Sequence, residues 1–119
     1  MNFSNKDGGK IIFELIKTIQ DKKDFLSEVD GKIGDGDHGI NMNKGFTMTY
    51  CKVNGKDYDM TTAFSVLGDT LLEDIGGSMG PLYGAFFDGL SEASEDHDVI
   101  DKKTFQEMIH TALEAIQDI

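Results

Sequence analysis

Phe25-Leu26-Ser27-Glu28-Val29-Asp30-Gly31-Lys32-Ile33-Gly34-Asp35-Gly36-Asp37-His38-Gly39 is the stretch on which the fold class turns. Its last six residues match the pattern G-x-G-x-x-G. After a strand and at the start of a helix, that spacing cradles a pyrophosphate and marks an α/β dinucleotide-binding fold. The residues in front of it, Phe25 to Val29, read instead as the end of a helical region. Two of the variable positions are aspartates, which repel a bare pyrophosphate. The dinucleotide reading fails, and helical periodicity decides the rest.

Upstream, Ile12, Leu15, Ile16 and Ile19 form a stripe at helical spacing. Downstream, a second segment from about Gly39 to Val53 carries Met42, Phe46 and Thr49 on one face. Val53-Asn54-Gly55-Lys56-Asp57 is a turn, because Asn-Gly tolerates positive φ. A third stripe follows in Phe64, Leu67, Leu71 and Ile75, with Thr61 or Thr62 suited to cap its start. Gly76-Gly77-Ser78-Met79-Gly80-Pro81 breaks the pattern. Gly80 is the expected cap, with Pro81 in the first turn of a helix that carries Leu82, Phe86, Leu90 and Ala93. A last helix over Lys102 to Asp118 places Phe105, Met108, Ile109, Ala112 and Ile116 on its apolar side. Nothing alternates with period two. The expected fold is all-α: a single domain over 1–119, an antiparallel up-and-down bundle of about five helices joined by short loops.

At 119 residues the chain can bury a core without disulfides. Cys51 is the one cysteine, so no internal disulfide is available, and it reads as a small helix residue. No apolar run is long enough to span a bilayer, and the polar Met1 to Lys10 lacks a signal-peptide core, so a cytoplasmic location is expected. Acids outnumber basic residues 22 to 11, a formal charge of −11. That field repels nucleic acid and anionic membranes. A phosphate substrate would then need a divalent cation to bridge the mismatch. Glu92, Glu95, Asp96, Asp98 and Asp101 read as solubilising surface. His97 reads as exposed and His110 as a helix-margin residue, neither with a catalytic partner.

Asp30, Asp35 and Asp37 put three carboxylates within eight residues, among glycines that allow a tight turn. Counted as an EF-hand from Asp35, the loop has Ile40 where the turn glycine belongs and Phe46 where the bidentate Glu belongs. Zinc would want Cys and His in place of carboxylates. Magnesium, which takes one or two carboxylates plus phosphate oxygens and water, suits the donor set. The same aspartates also suit turn and cap positions, Asp37 above all. His38 and Asn41 lie one helical turn apart beside this loop. Gly76 to Gly80 is a second candidate, since glycines before a helix start let backbone N–H groups approach an anion. Taken alone it reads as a plain interhelical turn.

Asp30-x4-Asp35-Gly36-Asp37-His38-Gly39-x-Asn41-Met42 with Gly45-Phe46, and then Gly76-Gly77-x-x-Gly80-Pro81-Leu82-Tyr83-Gly84-x-Phe86-Phe87, resemble the L subunit of dihydroxyacetone kinases along the whole chain. The resemblance implies an antiparallel eight-helix barrel, present here only in its amino-terminal part. It implies two magnesium ions on Asp30, Asp35 and Asp37 and a bound ADP or ATP. His38 and Asn41 would contact phosphate or ribose, with Ser78 and Met79 in the phosphate cap. Where the family usually has Ala-Ser, this chain has Ser78-Met79, so the hydroxyl stands one position earlier. The implied activity is phosphoryl transfer to dihydroxyacetone held covalently on a separate K subunit. Either ATP is the donor, or a phosphotransferase-system M subunit recharges the ADP. Such transfer is positioning plus charge neutralisation and needs no nucleophile on this chain. The family's later helices are missing, which implies weak or absent activity alone and an apolar surface that a homo-oligomer could cover. Two other readings remain: a truncated, non-catalytic relative that binds a partner subunit, and a kinase of a related ketose.

Overall fold

The computed structural model describes residues 2–32, 34, 36–77 and 79–119. Lys10–Asp21 forms α1, which buries Ile12 and Ile16 one turn apart. At Lys22 the backbone leaves the helical region (φ −104°, ψ 8°), and α2 follows over Lys23–Asp30. The remaining helices are α3 (His38–Val53), α4 (Met60–Asp74), α5 (Met79–Ser94) and α6 (Lys102–Gln117). A 3₁₀ turn over Lys6–Gly9 leads into α1.

The all-α expectation holds for the body of the fold. The count rises to six among the described residues, because the break at Lys22 separates α1 from α2. A small sheet was not expected. β1 (Asn2–Ser4) pairs antiparallel with β2 (Val99–Asp101), Phe3 opposite Ile100. Three residues are too few for an alternation to show in sequence.

Two helix starts differ from expectation. Asp59, not Thr61 or Thr62, caps α4: its carboxylate accepts from the Thr62 N–H at 2.7 Å. A carboxylate one residue before the helix reaches the open amides of the first turn, whereas residues inside the turn cannot. Asp101 caps α6 in the same way, accepting from the Thr104 N–H at 2.8 Å. Gly80 is the second residue of α5, not its cap. Pro81 still falls in the first turn, where its missing N–H costs nothing. Gly80 is needed for close approach: a Cβ there would collide with the carbonyl oxygens of Ile75 and Leu71.

The core lies between α1, α3, α4 and α5, closed by Ile100 and by Met108 and Ala112 of α6. All four residues of the third stripe, Phe64, Leu67, Leu71 and Ile75, are buried, as are Met42, Phe46 and Thr49. Phe87 packs edge-on to Phe46 and stacks on Phe64. The apolar side of the last two helices is only partly buried: Leu82, Phe105, Ile109 and Leu113 are exposed.

α4 and α5 pack most extensively and run antiparallel. Gly80 lies against Leu71 and Ile75, while at the opposite end the Ser91 hydroxyl donates to the Thr61 carbonyl at 2.7 Å. Asn5 locks that far end. Its side-chain amide donates to Thr61 Oγ1 (2.8 Å) and to the carbonyls of Ser94 (3.2 Å) and His97 (2.9 Å), and its Oδ1 accepts from the Thr61 N–H (3.1 Å). The amino terminus is thereby tied to the start of α4 and the end of α5. This arrangement leaves the other end of α4 and α5, with the 76–79 connection, free to face the acidic loop. Among the described residues, no helix is long and apolar enough to cross a membrane.

Candidate nucleotide-binding cleft

Asp30 is the last residue of α2, and the acidic loop folds back onto it. Its Oδ2 accepts the Gly36 N–H at 3.0 Å and the His38 N–H at 3.4 Å, and its carbonyl accepts the Gly34 N–H at 2.6 Å. The side chain thus satisfies one of the open amides at the start of α3 from eight residues away. Gly36 sits at φ +81°, a conformation that side chains with a Cβ rarely adopt. Gly39 lets the first turn of α3 lie directly on α2, since a Cβ there would strike the Lys23 carbonyl oxygen. Asp37 holds the position before α3 but makes no capping bond with its side chain.

A cleft of about 410 Å³ opens where this loop meets the 76–79 connection. The acidic side contributes Asp30, Asp37, His38 and Asn41, and the glycine side contributes Gly76, Gly77 and Met79. Five residues singled out from sequence, Asp30, Asp37, His38, Asn41 and Met79, therefore line one cavity. Asp35 and Ser78 lie outside the described residues. A space of this size falls in the range of small-molecule sites.

Leu82 and Tyr83 also line the cleft, and neither was singled out beforehand as a site residue. Both stand one turn after Met79 on α5, a spacing that does not by itself separate a cleft residue from a core one. The rings of Tyr83 and His38 meet edge-on, centroids 6.1 Å apart at 69°. Other candidates fall elsewhere. Cys51 is exposed on α3, His97 is exposed, and His110 pairs with Glu114 on the outside of α6 at 2.6 Å.

The donor set of the cleft is hard oxygen. Among the described residues two carboxylates line it, and no group of three acidic, His or Cys side chains is close enough to enclose an ion. Two carboxylates with open space beside them fit magnesium, which keeps its remaining positions for water and phosphate. His38, Asn41 and Tyr83 add hydrogen-bonding side chains to the lining.

Residues 32–119 match the family described as the DAK2 domain. The chain belongs to the DAK2 domain family. Among curated relatives of this DAK2 chain, one is named PEP-dependent dihydroxyacetone kinase 1, ADP-binding subunit DhaL, from Listeria innocua. It is 39% identical over 100 residues, covering 83% of this chain and 50% of the relative. A second, the PTS-dependent dihydroxyacetone kinase, ADP-binding subunit DhaL of Lactococcus lactis, is also 39% identical over 100 residues, with the same coverage. A third, the corresponding PEP-dependent subunit of Escherichia coli, is 39% identical over 75 residues, covering 62% of this chain and 36% of the relative. The chain spans about half the length of the first two relatives.

Proposed function

We propose that the cleft binds ADP through magnesium, and that the chain acts as the nucleotide-binding part of a dihydroxyacetone kinase. The observation that carries this reading is the meeting of the acidic loop and the 76–79 connection in one cleft. In the chain's relatives the named property is ADP binding.

Asp30 and Asp37, joined by Asp35, hold the cation. Magnesium, when bound, neutralises phosphate charge and orients the transferring group. The N–H hydrogen bonds that Asp30 already accepts from Gly36 and His38 keep its carboxylate in one orientation, so a ligand need not organise it. His38 and Asn41 stand one turn apart at the start of α3 and hydrogen-bond phosphate or ribose. The first turn of α5, which starts at Met79, offers backbone N–H groups and the positive end of the helix dipole to the phosphates.

The acceptor in this reading is dihydroxyacetone carried by a separate K-type subunit. Relatives named PEP- or PTS-dependent favour recharging of bound ADP by an M-type phosphotransferase protein over exchange with ATP. The protein works in the cytoplasm, where these partners and the nucleotide meet.

Calorimetric titration of ADP with and without magnesium tests the reading. Binding that requires magnesium supports it, and no binding in either condition overturns it. ATP titrated in parallel separates the two donors: a retained, slowly exchanging ADP is expected, and preferential binding of ATP would favour direct transfer from ATP.

A further inference from the structure

α3 and α5 meet through two ring pairs. Phe46 and Phe87 join them in the core, centroids 6.0 Å apart, and His38 and Tyr83 join them at the cleft. The second pair is the one that bears on function. His38 is the first residue of α3, and Tyr83 lies one turn after Met79 on α5. Both line the same cleft. Among the described residues neither the imidazole nitrogens nor the Tyr83 hydroxyl has a hydrogen-bond partner. The main-chain N–H of His38 is held by Asp30, and its ring meets the Tyr83 ring edge-on.

We propose that Tyr83 is a positioning residue for His38. Its ring presents an edge-on surface that holds the imidazole over the cleft with both nitrogens free for ligand. This rests on reading the cleft as the nucleotide site. A half-buried histidine at a helix start would otherwise sample more than one rotamer, and freezing them on binding would cost affinity. An edge-to-face ring pair is strong enough to select one. The same contact joins the first turns of α3 and α5, the helices that follow the acidic loop and the 76–79 connection, so the two sides of the cleft are set relative to each other before ligand arrives. The backbone supports this placement. Gly80 and Gly84 bring α5 close against α4, which fixes the line along which Tyr83 emerges.

The test uses the imidazole signals of the ligand-free protein, with His97 and His110 as internal references on other elements. Tyr83→Leu is expected to move the His38 ring signals and leave the other two in place, while Tyr83→Phe, which keeps the ring, leaves all three. A His38 signal that does not move in Tyr83→Leu overturns the proposal. Magnesium-ADP affinity gives the second readout. Tyr83→Leu is expected to weaken it roughly three- to tenfold, with no further loss when added to His38→Ala. Losses that multiply in the double variant would show that Tyr83 does not act through His38 and would also overturn it. A wild-type protein that binds no ADP would remove the nucleotide reading, while the imidazole signals would still decide whether Tyr83 holds His38.

Discussion

Oδ2 of Asp30 accepts the backbone N–H of Gly36 at 3.0 Å, closing the acidic loop onto the end of the helix before it. Asp30 therefore has a structural role that is independent of any cation. Asp30→Ala should lower stability by about 1–3 kcal/mol, the cost of losing a hydrogen bond to a charged group. It should also speed amide exchange at Gly36 and His38 in magnesium-free buffer. Unchanged exchange at both amides would contradict the geometry.

Asp88 on α5 is held well above the ordinary aspartate range, at about 7. Burial is the first cause, followed by the hydrogen bond and charge of Asp69 on α4 and the charge of Glu73. Below its ordinary value of 3.8, folded and unfolded chains both carry the proton. Between 3.8 and about 7 the folded chain keeps a proton that the unfolded chain has released, so stability falls as pH rises through that window. Above about 7 the loss is complete. The urea midpoint should thus be higher at pH 5 than at pH 8, and Asp88→Asn should flatten that difference. A wild-type midpoint that rises over this interval, with Asp88→Asn parallel to it, would refute the assignment.

Asn5 is buried and serves three segments at once through Thr61, Ser94 and His97. Asn5→Ala strands these carbonyl and amide groups away from water. The expected cost is about 1–3 kcal/mol. Thermal or urea unfolding measures it, and a change near zero would mean that water replaces the side chain without loss.

The body of the fold was legible because long helices repeat their pattern. Phe64, Leu67 and Leu71 on α4 and Ile75 just past its end keep the helical spacing, and all are buried. The strand pair was not legible, since Asn2–Ser4 meets Val99–Asp101 across nearly the whole chain and neither carries a period. Helix caps were misread for a related reason. Asp59 is a single residue among many acids, and Gly80 one glycine among several, and only the backbone shows which residue stands just before the first turn. In the cleft, the acidic and polar residues stood out by their density in the loop. Tyr83 did not, because an aromatic residue at helical spacing looks the same whether it faces the core or a ligand.

The cleft's carboxylates are central to this reading, and magnesium-dependent ADP binding in Asp37→Asn tests them most directly. Calorimetry of the wild type and the variant, each with and without magnesium, is the measurement. The expected result is tight ADP binding only for the wild type with magnesium, and a large loss in Asp37→Asn while its unfolding midpoint stays near that of the wild type. ADP binding of equal strength in both proteins, indifferent to magnesium, would contradict it.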